Sequence, residues 1–258
     1  MGSEAWFRAA PPPPELTPEV VTGWAAQSAD GQRLVPDACV DLMWLGDTAF
    51  LCGQERAGWT FATPADSEAV GLRFRPGRGP AVVGFHPADV LDQRVALADL
   101  LPRERRHIAR ELEDADSSLS RLRIMAAHAR RWLSEAPSPD PLVDCLVHEL
   151  TRHSVPVSAV ARSLHVSERQ LLRRCRTAFG YGPATLRRIL RLQRFLKLAE
   201  RGTKLDLAQL SADAGYADQQ HLARDARSLA HSSPTDLLAA RRHRAVSDSS
   251  TPAPAERA

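Results

Sequence analysis

Glutamine and arginine side chains lie near the C-terminus at spacings that would let them bind the edges of nucleic-acid bases. Leu222, Ala226 and Leu229 share one apolar face of a predicted helix. The polar residues around them are predicted to face outward: Gln219, Gln220, His221, Arg224 and Arg227. Glutamine is suited to the adenine edge and arginine to the guanine edge in the major groove of DNA. An ordinary helical hairpin with a solvated polar face is the alternative interpretation.

The residues before this face predict a short helix and a tight turn that would position it. Leu207, Leu210 and Ala214 stand at i, i+3 and i+7, which is one face of a helix. Gly215 could end that helix in a left-handed conformation. Asp218 could then cap the next helix, because its carboxylate can accept a hydrogen bond from a free backbone amide. The segment therefore has the layout of a helix-turn-helix unit.

A second copy of this layout occupies residues 157–179. Ser167 and Gln170 have the spacing of a capping box, which opens the second helix of the copy. The amphipathic residues 183–201 predict a long helix that joins the two copies. An internal repeat of this kind favours two helix-turn-helix units over a single ordinary hairpin.

Charge is distributed unevenly along the 258 residues. Residues 1–137 contain 15 arginines and 19 acidic residues, a net charge of −4. Residues 138–258 contain 19 basic and 12 acidic residues, a net charge of +7. A basic half agrees with contacts to phosphate, although a moderately charged solvated surface is an alternative explanation.

The composition argues against several other classes of protein. Hydrophobic residues make up 43% and charged residues 25% of the chain, which is ordinary for a globular protein. No apolar run approaches the ~20 residues of a membrane span, and the N-terminus lacks a signal-peptide pattern, so we expect a cytoplasmic protein without membrane partners. The four cysteines form no C-x-x-C pair, so neither a metal site nor a cofactor is predicted.

The N-terminal half shows the two-residue alternation of strands and then the period of helices. We predict strands at residues 20–26, 32–35, 40–45, 48–53 and 68–75. We predict helices at residues 80–85, 87–91, 103–114 and 118–133. The fold class is therefore an α+β domain with a small antiparallel sheet, followed by an all-α domain. The predicted boundaries are a domain at 1–136, a linker at 137–141, a domain at 142–244 and a disordered tail at 245–258.

Residues 141–241 resemble the DNA-binding domain of the AraC/XylS family of bacterial transcription regulators. Eight residues fit the family pattern of the second unit: Ser211, Gly215, Tyr216, Asp218, Leu222, Arg224, Arg227 and Pro234. Ala226 stands where the family has a bulkier residue, which thins the core at that point. His231 replaces a glycine at the end of the recognition helix, where a side chain makes the left-handed conformation costly.

The resemblance implies a function and the residues that perform it. It implies a sequence-specific regulator whose recognition helices, residues 168–178 and 219–229, enter successive major-groove segments. The side chains implied to contact base edges are Arg169, Arg173, Gln219, Gln220 and Arg224. Leu172 is implied to contact a thymine methyl group, whereas Ser167 and Asp218 would set the register on phosphates.

The N-terminal half is similar to the small β-rich domain that precedes many AraC-type regulators. The similarity depends on Pro36, Asp37, Cys39, Asp41 and Leu42, and on Gly71, Arg73, Phe74, Pro76 and Gly77. We interpret the domain as a sensor or oligomerisation domain. A possible effector pocket would consist of Asp37, Cys39, Asp41, Trp44 and Arg73. The alternative is structural: Asp37 caps a turn, Cys39 is part of the core, and Arg73 pairs with an acid.

Double-stranded DNA is the expected partner, and RNA polymerase, a small-molecule effector and a second copy of the chain are further candidates. Residues 118–133 carry an apolar stripe that could join two subunits or could pack on the β domain. We expect no enzyme activity, since Cys39 and His86 lack the local context of a nucleophile and its base. An enzyme with a catalytic N-terminal domain and a sequence-blind architectural DNA-binding protein are the alternatives.

Overall fold

A computed structural model describes residues 6–27, 31–64, 67–152, 155–201 and 206–249 of the chain. It contains an N-terminal domain with an antiparallel sheet and a C-terminal domain made of helices. The predicted fold class is therefore confirmed. Within the described residues, no helix is long and apolar enough to cross a bilayer.

Eight strands are present in the described part of the N-terminal domain. They are β1 (Trp6–Ala10), β2 (Val20–Gln27), β3 (Gln32–Leu34), β4 (Val40–Leu45), β5 (Thr48–Cys52), β6 (Trp59–Phe61), β7 (Ala69–Phe74) and β8 (Arg94–Ala96). Six of them form one antiparallel sheet in the order β1-β2-β7-β4-β5-β8, while β3 and β6 pair separately. The sequence patterns missed β1, β6 and β8. These strands are short or lie at an edge of the sheet, so pairing with a partner defines them more than their own residues do.

In the described part of this domain, five α-helices accompany the sheet: α1 (Gly79–Val83), α2 (Pro87–Val90), α3 (Leu97–Leu100), α4 (His107–Glu113) and α5 (Ser118–Glu135). Two short 3-10 helices lie at Pro14–Leu16 and Arg103–Arg105. Helix α5 packs on β7 and β2 and buries Met125, Ala129 and Trp132 in the core of the domain. Its apolar stripe therefore serves mainly this chain's own sheet. Leu119, at 56% exposure, is the large apolar residue of α5 that faces solvent.

The C-terminal domain contains the two predicted helix-turn-helix units. Its helices are α6 (Pro141–Arg152), α7 (Val157–Ser163), α8 (Glu168–Phe179), α9 (Pro183–Arg201), α10 (Leu207–Ala214), α11 (Gln219–Ala230) and α12 (Pro234–Ser249). Helices α7 and α8 form the first unit, and α10 and α11 form the second. Both units pack on α9, whose Leu186, Ile189, Leu192 and Phe195 are fully buried.

Helix α12 extends further than the sequence patterns indicated. Residues 245–249 are helical, although the tail 245–258 was predicted to be disordered, so that prediction is wrong for these five residues. The sequence has no proline or glycine between Leu238 and Ser249 that would end the helix. The rest of the predicted tail, residues 250–258, lies outside the described residues.

The two domains share a packed boundary. Ala38 of the N-terminal domain belongs to the apolar cluster of the C-terminal domain and is 1% exposed. The Arg78 guanidinium lies 2.7 Å from the Asp144 carboxylate on α6. Residues 136–140 connect α5 to α6. The predicted linker, residues 137–141, overlaps this segment and ends on the first residue of α6.

Candidate nucleic-acid interface

A capping box stabilises the start of α8 in the first unit. The Ser167 hydroxyl accepts a hydrogen bond from the Gln170 backbone amide at 3.2 Å, and the Gln170 side chain accepts one from the Ser167 amide at 2.9 Å. These contacts satisfy two amides that the helix itself cannot bond. In the turn before them, His165 adopts a left-handed conformation with φ 53°. The predicted capping box is confirmed.

The second unit has the predicted turn and cap as well. Gly215 ends α10 with φ 88°, and the Asp218 carboxylate accepts a hydrogen bond from the His221 amide at 2.6 Å. Ser211 has a role that the sequence analysis missed. Its buried hydroxyl donates to the Asp218 carbonyl at 3.1 Å, so Ser211 fastens the turn.

The side chains expected to contact bases are exposed on α8 and α11. All five are exposed, and none makes a side-chain hydrogen bond or ion pair with another described residue: Arg169, Arg173, Gln219, Gln220 and Arg224. Leu172 is half-buried, and a Cβ placed on Gly182 would lie 2.9 Å from its Cδ1, so part of Leu172 packs inside the domain. Ser167 and Asp218 are exposed, but their side chains are engaged in capping.

His221 does not face outward as the helical spacing predicted. It is half-buried, and its Nε2 lies 2.9 Å from Nη2 of Arg191 on α9. Its ring meets Tyr216 edge-on at 5.3 Å between centroids. Burial and the nearby guanidinium lower the pKa of His221, which favours a neutral ring that accepts a hydrogen bond from Arg191. The position at the start of α11, close to the α9 surface, turns this side chain inward.

A buried ion pair holds α11 against α9. Asp225 and Arg191 are 4% and 5% exposed, and Asp225 Oδ2 lies 2.6 Å from Arg191 Nη2. Arg188 adds a second contact from its Nε to Asp225 Oδ1 at 2.8 Å, and the Arg191 guanidinium stacks over Tyr216 at 4.3 Å. Periodicity in the sequence did not single out these residues. The available signal was a single acid on the apolar stripe of α11, opposite arginines on a helix expected to pack there.

One loop of the N-terminal domain binds the C-terminal ends of both recognition helices. We call residues 53–58, between β5 and β6, the 53–58 loop. In it, Gln54 Nε2 donates to the Ala178 carbonyl of α8 at 3.0 Å, and the Gly58 amide donates to the Leu229 carbonyl of α11 at 2.6 Å. These carbonyls belong to final helical turns, which have no partner within the helix. The loop therefore caps α8 and α11 together.

Arg33 and the absence of a side chain at Gly58 complete this contact. Arg33 Nη1 donates to the Ala230 carbonyl at 3.1 Å, which places a cation at the negative end of the α11 dipole. A Cβ on Gly58 would lie 2.7 Å from the Leu34 carbonyl oxygen and 3.2 Å from the Ala230 Cα. Only glycine fits at that position without a shift of the loop or of α11.

A cavity of about 400 Å³ opens beside the loop, between the two domains. Four of the five residues predicted to form an effector pocket line it: Asp37, Cys39, Asp41 and Arg73. Trp44 does not line the cavity, and the prediction is wrong on this residue. Residues 41 and 44 of β4 are separated by an odd number of positions, so their side chains point to opposite faces of the sheet. Trp44 is buried in the helix-covered core.

The acids around Arg73 also support the structural interpretation. Arg73 reaches Asp37 at 3.1 Å and Asp41 at 2.9 Å, and Trp24 Nε1 donates to Asp41 at 2.7 Å. Asp37 also accepts a hydrogen bond from the Cys39 amide at 2.9 Å, as expected of a residue that caps a turn. Burial raises the pKa of the Cys39 thiol, and the carboxylate of Asp37 raises it further. These contacts fix the wall of the cavity.

Glu55 of the 53–58 loop also lines the cavity. Burial raises the pKa of its carboxyl to about 8, although the Arg94 guanidinium 2.9 Å away opposes that shift. The Glu55 carboxyl therefore titrates near pH 8. It lies in the loop between Gln54 and Gly58, the two residues that contact the recognition helices.

Comparisons with known proteins find a separate match in each half of the chain. Residues 160–240 match the model of a helix-turn-helix domain, and residues 8–96 match that of a domain of unknown function, DUF6597. No curated protein matches the sequence significantly.

Among solved structures, ToxT from Vibrio cholerae is similar, with 9% identity, a TM-score of 0.48, and coverage of 91% of this chain and 98% of ToxT. Unsaturated-fatty-acid-bound ToxT from the same organism has 10% identity, a TM-score of 0.44, and coverage of 91% and 94%. The matched domains and the double helix-turn-helix agree with the resemblance seen in the sequence. The C-terminal half contains a helix-turn-helix domain of the AraC type and the N-terminal half a DUF6597 domain, and these matches support a DNA-binding transcription regulator.

Proposed function

We propose that this regulator reads a specific DNA sequence by inserting α8 and α11 into successive major-groove segments. One observation carries the proposal. The side chains able to bond base edges are exposed and unengaged among the described residues, while caps and the Asp225–Arg191 pair fix the helices that present them. Rigid presentation of free donors and acceptors is what direct readout of bases requires.

The residues have separate roles in this proposal. Arg169, Arg173 and Arg224 donate to guanine edges, and Gln219 and Gln220 pair with adenine. Because Ser167 and Asp218 already cap their helices, the exposed backbone amides of the first helical turns supply the phosphate contacts beside them. Leu172 contributes to a thymine contact only through the part of its side chain that is exposed.

Two alternatives are less well supported. A sequence-blind architectural protein would need mainly cations on its DNA-facing surface, whereas α11 begins with two exposed glutamines. For a catalytic N-terminal domain, Cys39 would have to be a thiolate, but burial raises the pKa of this thiol. His86, its proposed base, uses Nδ1 to accept a hydrogen bond from the Ala88 amide at the start of α2.

The N-terminal domain is proposed to be the sensor. A small polar effector would occupy the cavity between the domains, in contact with Arg73 or its paired acids. Gly53 and Glu55 line this cavity and belong to the 53–58 loop, which bonds both recognition helices. An effector that displaces the loop would change the relative position of α8 and α11, and with it the affinity for DNA.

RNA polymerase and a second copy of the chain are further proposed partners. Contact with RNA polymerase is an inference from the AraC-type resemblance. A homodimer through α5 has only the exposed Leu119 in its favour, since the rest of the stripe packs mainly within the domain.

Selection of bound sequences from a random duplex pool tests the proposed function. The full chain should enrich a bipartite site whose halves lie about one helical turn, ~34 Å, apart. Arg173→Ala should relax preference in one half and Arg224→Ala in the other. Binding without any enriched sequence would instead favour the architectural alternative.

A further inference from the structure

Three side chains that can ligate metals converge where α4 meets α5. His107 and Glu111 lie one turn apart on α4, and His128 faces them from α5. His128 Nε2 is 2.9 Å from Glu111 Oε2, and His107 Nε2 is 3.9 Å from Glu111 Oε1. One potential ligand atom from each residue lies within 4.8 Å of the other two.

We propose that these residues bind a divalent transition-metal ion such as Zn²⁺. Two imidazoles and one carboxylate form a donor set that Zn²⁺ accepts, with a fourth position left for water or another ligand. Bonds of ~2.0–2.1 Å in a tetrahedral arrangement place neighbouring ligand atoms about 3.3 Å apart. The distance from Glu111 to His128 is shorter than this value and the distance from Glu111 to His107 is longer. Small rotations of the exposed His107 and Glu111 side chains would therefore complete the site.

The buried histidine is a second and independent observation. His128 is 7% exposed, and its ring lies 4.9 Å from the His107 ring and 5.6 Å from Trp132. The ring is therefore held in place before any ion arrives. Its Nδ1 is buried without a hydrogen-bond partner among the described residues, which costs free energy. Nε2 of the same ring, 2.9 Å from Glu111, is the nitrogen that faces the other two side chains and would bind the ion.

The site has an entry path and a mechanical consequence. The side chains of His107 and Glu111 are 42% and 47% exposed, so an ion can reach them from solvent. The nearby Arg105 lies over Trp132 and pairs with Glu135 at 2.9 Å, which reduces its repulsion of a cation. A bound ion would fasten α4 to α5, the helix that leads through residues 136–140 to the C-terminal domain.

Cysteine spacing predicted no metal site, and this proposal departs from that prediction. The spacing of His107 and Glu111 at i and i+4 was visible in the sequence, but four residues between two polar side chains are common on helices. Only the packing of α5 on α4 brings His128 to them. The proposal is independent of DNA reading, since none of its residues belongs to the C-terminal domain.

Metal titration of the full chain, free of affinity tags and stripped with EDTA, tests the proposal. Zn²⁺ should bind with one ion per chain by calorimetry, and Co²⁺ should produce a visible absorption band. His107→Ala and Glu111→Gln should each weaken Zn²⁺ affinity at least about tenfold. Both residues are exposed, so these variants should fold, whereas His128→Ala removes a buried ring.

The matched control is His148→Ala, which removes an exposed histidine on α6. It should leave the Zn²⁺ affinity unchanged. The proposal is overturned if the full chain does not bind Zn²⁺, or if His107→Ala and Glu111→Gln bind it as tightly as the control does.

Discussion

The two recognition helices are held in the C-terminal domain by different contacts. Helix α8 buries a stripe that contains no charge: Leu171, Cys175 and Phe179. Helix α11 has the small Ala226 in its stripe and buries Asp225 against Arg191. Where the second unit has less apolar volume, a hydrogen-bonded ion pair replaces packing. Such a pair specifies one orientation of the helix, but it loses stability sharply when only one partner is removed.

The two units place glycine and histidine at opposite left-handed positions. In the first, His165 carries the turn with φ 53° and Gly180 ends the recognition helix with φ 75°. In the second, Gly215 carries the turn with φ 88° and His231 ends the recognition helix with φ 50°. The same fold therefore tolerates a side chain at either position, which shows that its backbone path is set by packing on α9 as well as by glycine.

Removal of the buried acid should have the largest effect. Asp225→Ala leaves the Arg191 charge buried without its partner and should lower the free energy of unfolding by about 3–5 kcal/mol. Urea denaturation measures the change. Asp213→Ala, an exposed acid of the same unit, is the control and should stay within ~0.5 kcal/mol. Equal stability of the two variants would mean that the ion pair does not hold α11.

Truncation of the stripe compares the cores of the two units. Leu171→Ala and Leu222→Ala each remove a fully buried leucine and should cost about 2–5 kcal/mol of unfolding free energy. The loss should be larger in the first unit, where no ion pair supplements packing. Denaturation curves measure the loss of unfolding free energy in each variant. A larger loss for Leu222→Ala than for Leu171→Ala would contradict the prediction.

Base-reading residues should affect binding and leave stability unchanged. Arg224→Ala, Gln220→Ala and Arg173→Ala each remove one exposed side chain and should cost about 1–3 kcal/mol of binding free energy on the preferred site. Melting temperatures and binding curves are measured on the same preparations. If Arg224→Ala lowers the melting temperature strongly, Arg224 is a structural residue. If it melts normally and binds every sequence as the parent does, the first unit carries the specificity.

The 53–58 loop allows a test of coupling between the units. Gln54 is fully buried, so Gln54→Ala leaves the Ala178 carbonyl of α8 without its donor and should cost about 1–3 kcal/mol. Its effect on DNA affinity should depend on the distance between the two half-sites, because the loop holds both helices. Thr48→Ala, at the start of β5 and far from the loop's contacts with the helices, is the control. A binding loss that is the same at every half-site distance would show that the loop does not position the two helices relative to each other.

The loop should also make stability depend on pH. The pKa of Glu55 is raised from its ordinary 4.5 to about 8. Between these values the folded state keeps a proton that the unfolded state has lost, so the free energy of unfolding should fall as pH rises towards 8. Glu55→Gln should remove this decline. Denaturation at pH 5, 6.5 and 8 measures it, and an unchanged decline in the variant would assign the effect to another group.

The smallest effect is expected at the end of α11. His231→Gly should relieve the ~1–2 kcal/mol cost of a left-handed side chain, offset by glycine's additional entropy of ~0.5–1 kcal/mol. A net gain of about 0.5 kcal/mol should appear in denaturation curves. A loss of stability would show that the His231 side chain contributes contacts worth more than the backbone strain.

Local patterns were sufficient for the two helix-turn-helix units and their caps. Ser167, Gln170, Gly215 and Asp218 act within a few residues of their own positions, so spacing along the chain determined their partners. The exposure of the five base-reading candidates followed from the same periodicity. His221 was the exception, since the position of α9 beside the first turn of α11 decides where this ring points.

Contacts between distant segments were decided only by the tertiary structure. The pairing of Asp225 with Arg191, the contact of Gln54 with α8, and the approach of His128 to α4 each join elements that no local period relates. The edge strands were missed for the same reason, because hydrogen bonds to a partner strand define them. The sequence by itself determined most of the helices, the caps of the two helix-turn-helix units and the polar character of the faces expected to bind DNA. Burial of side chains between separate elements, where water is excluded and the partner is fixed by packing, determined the rest.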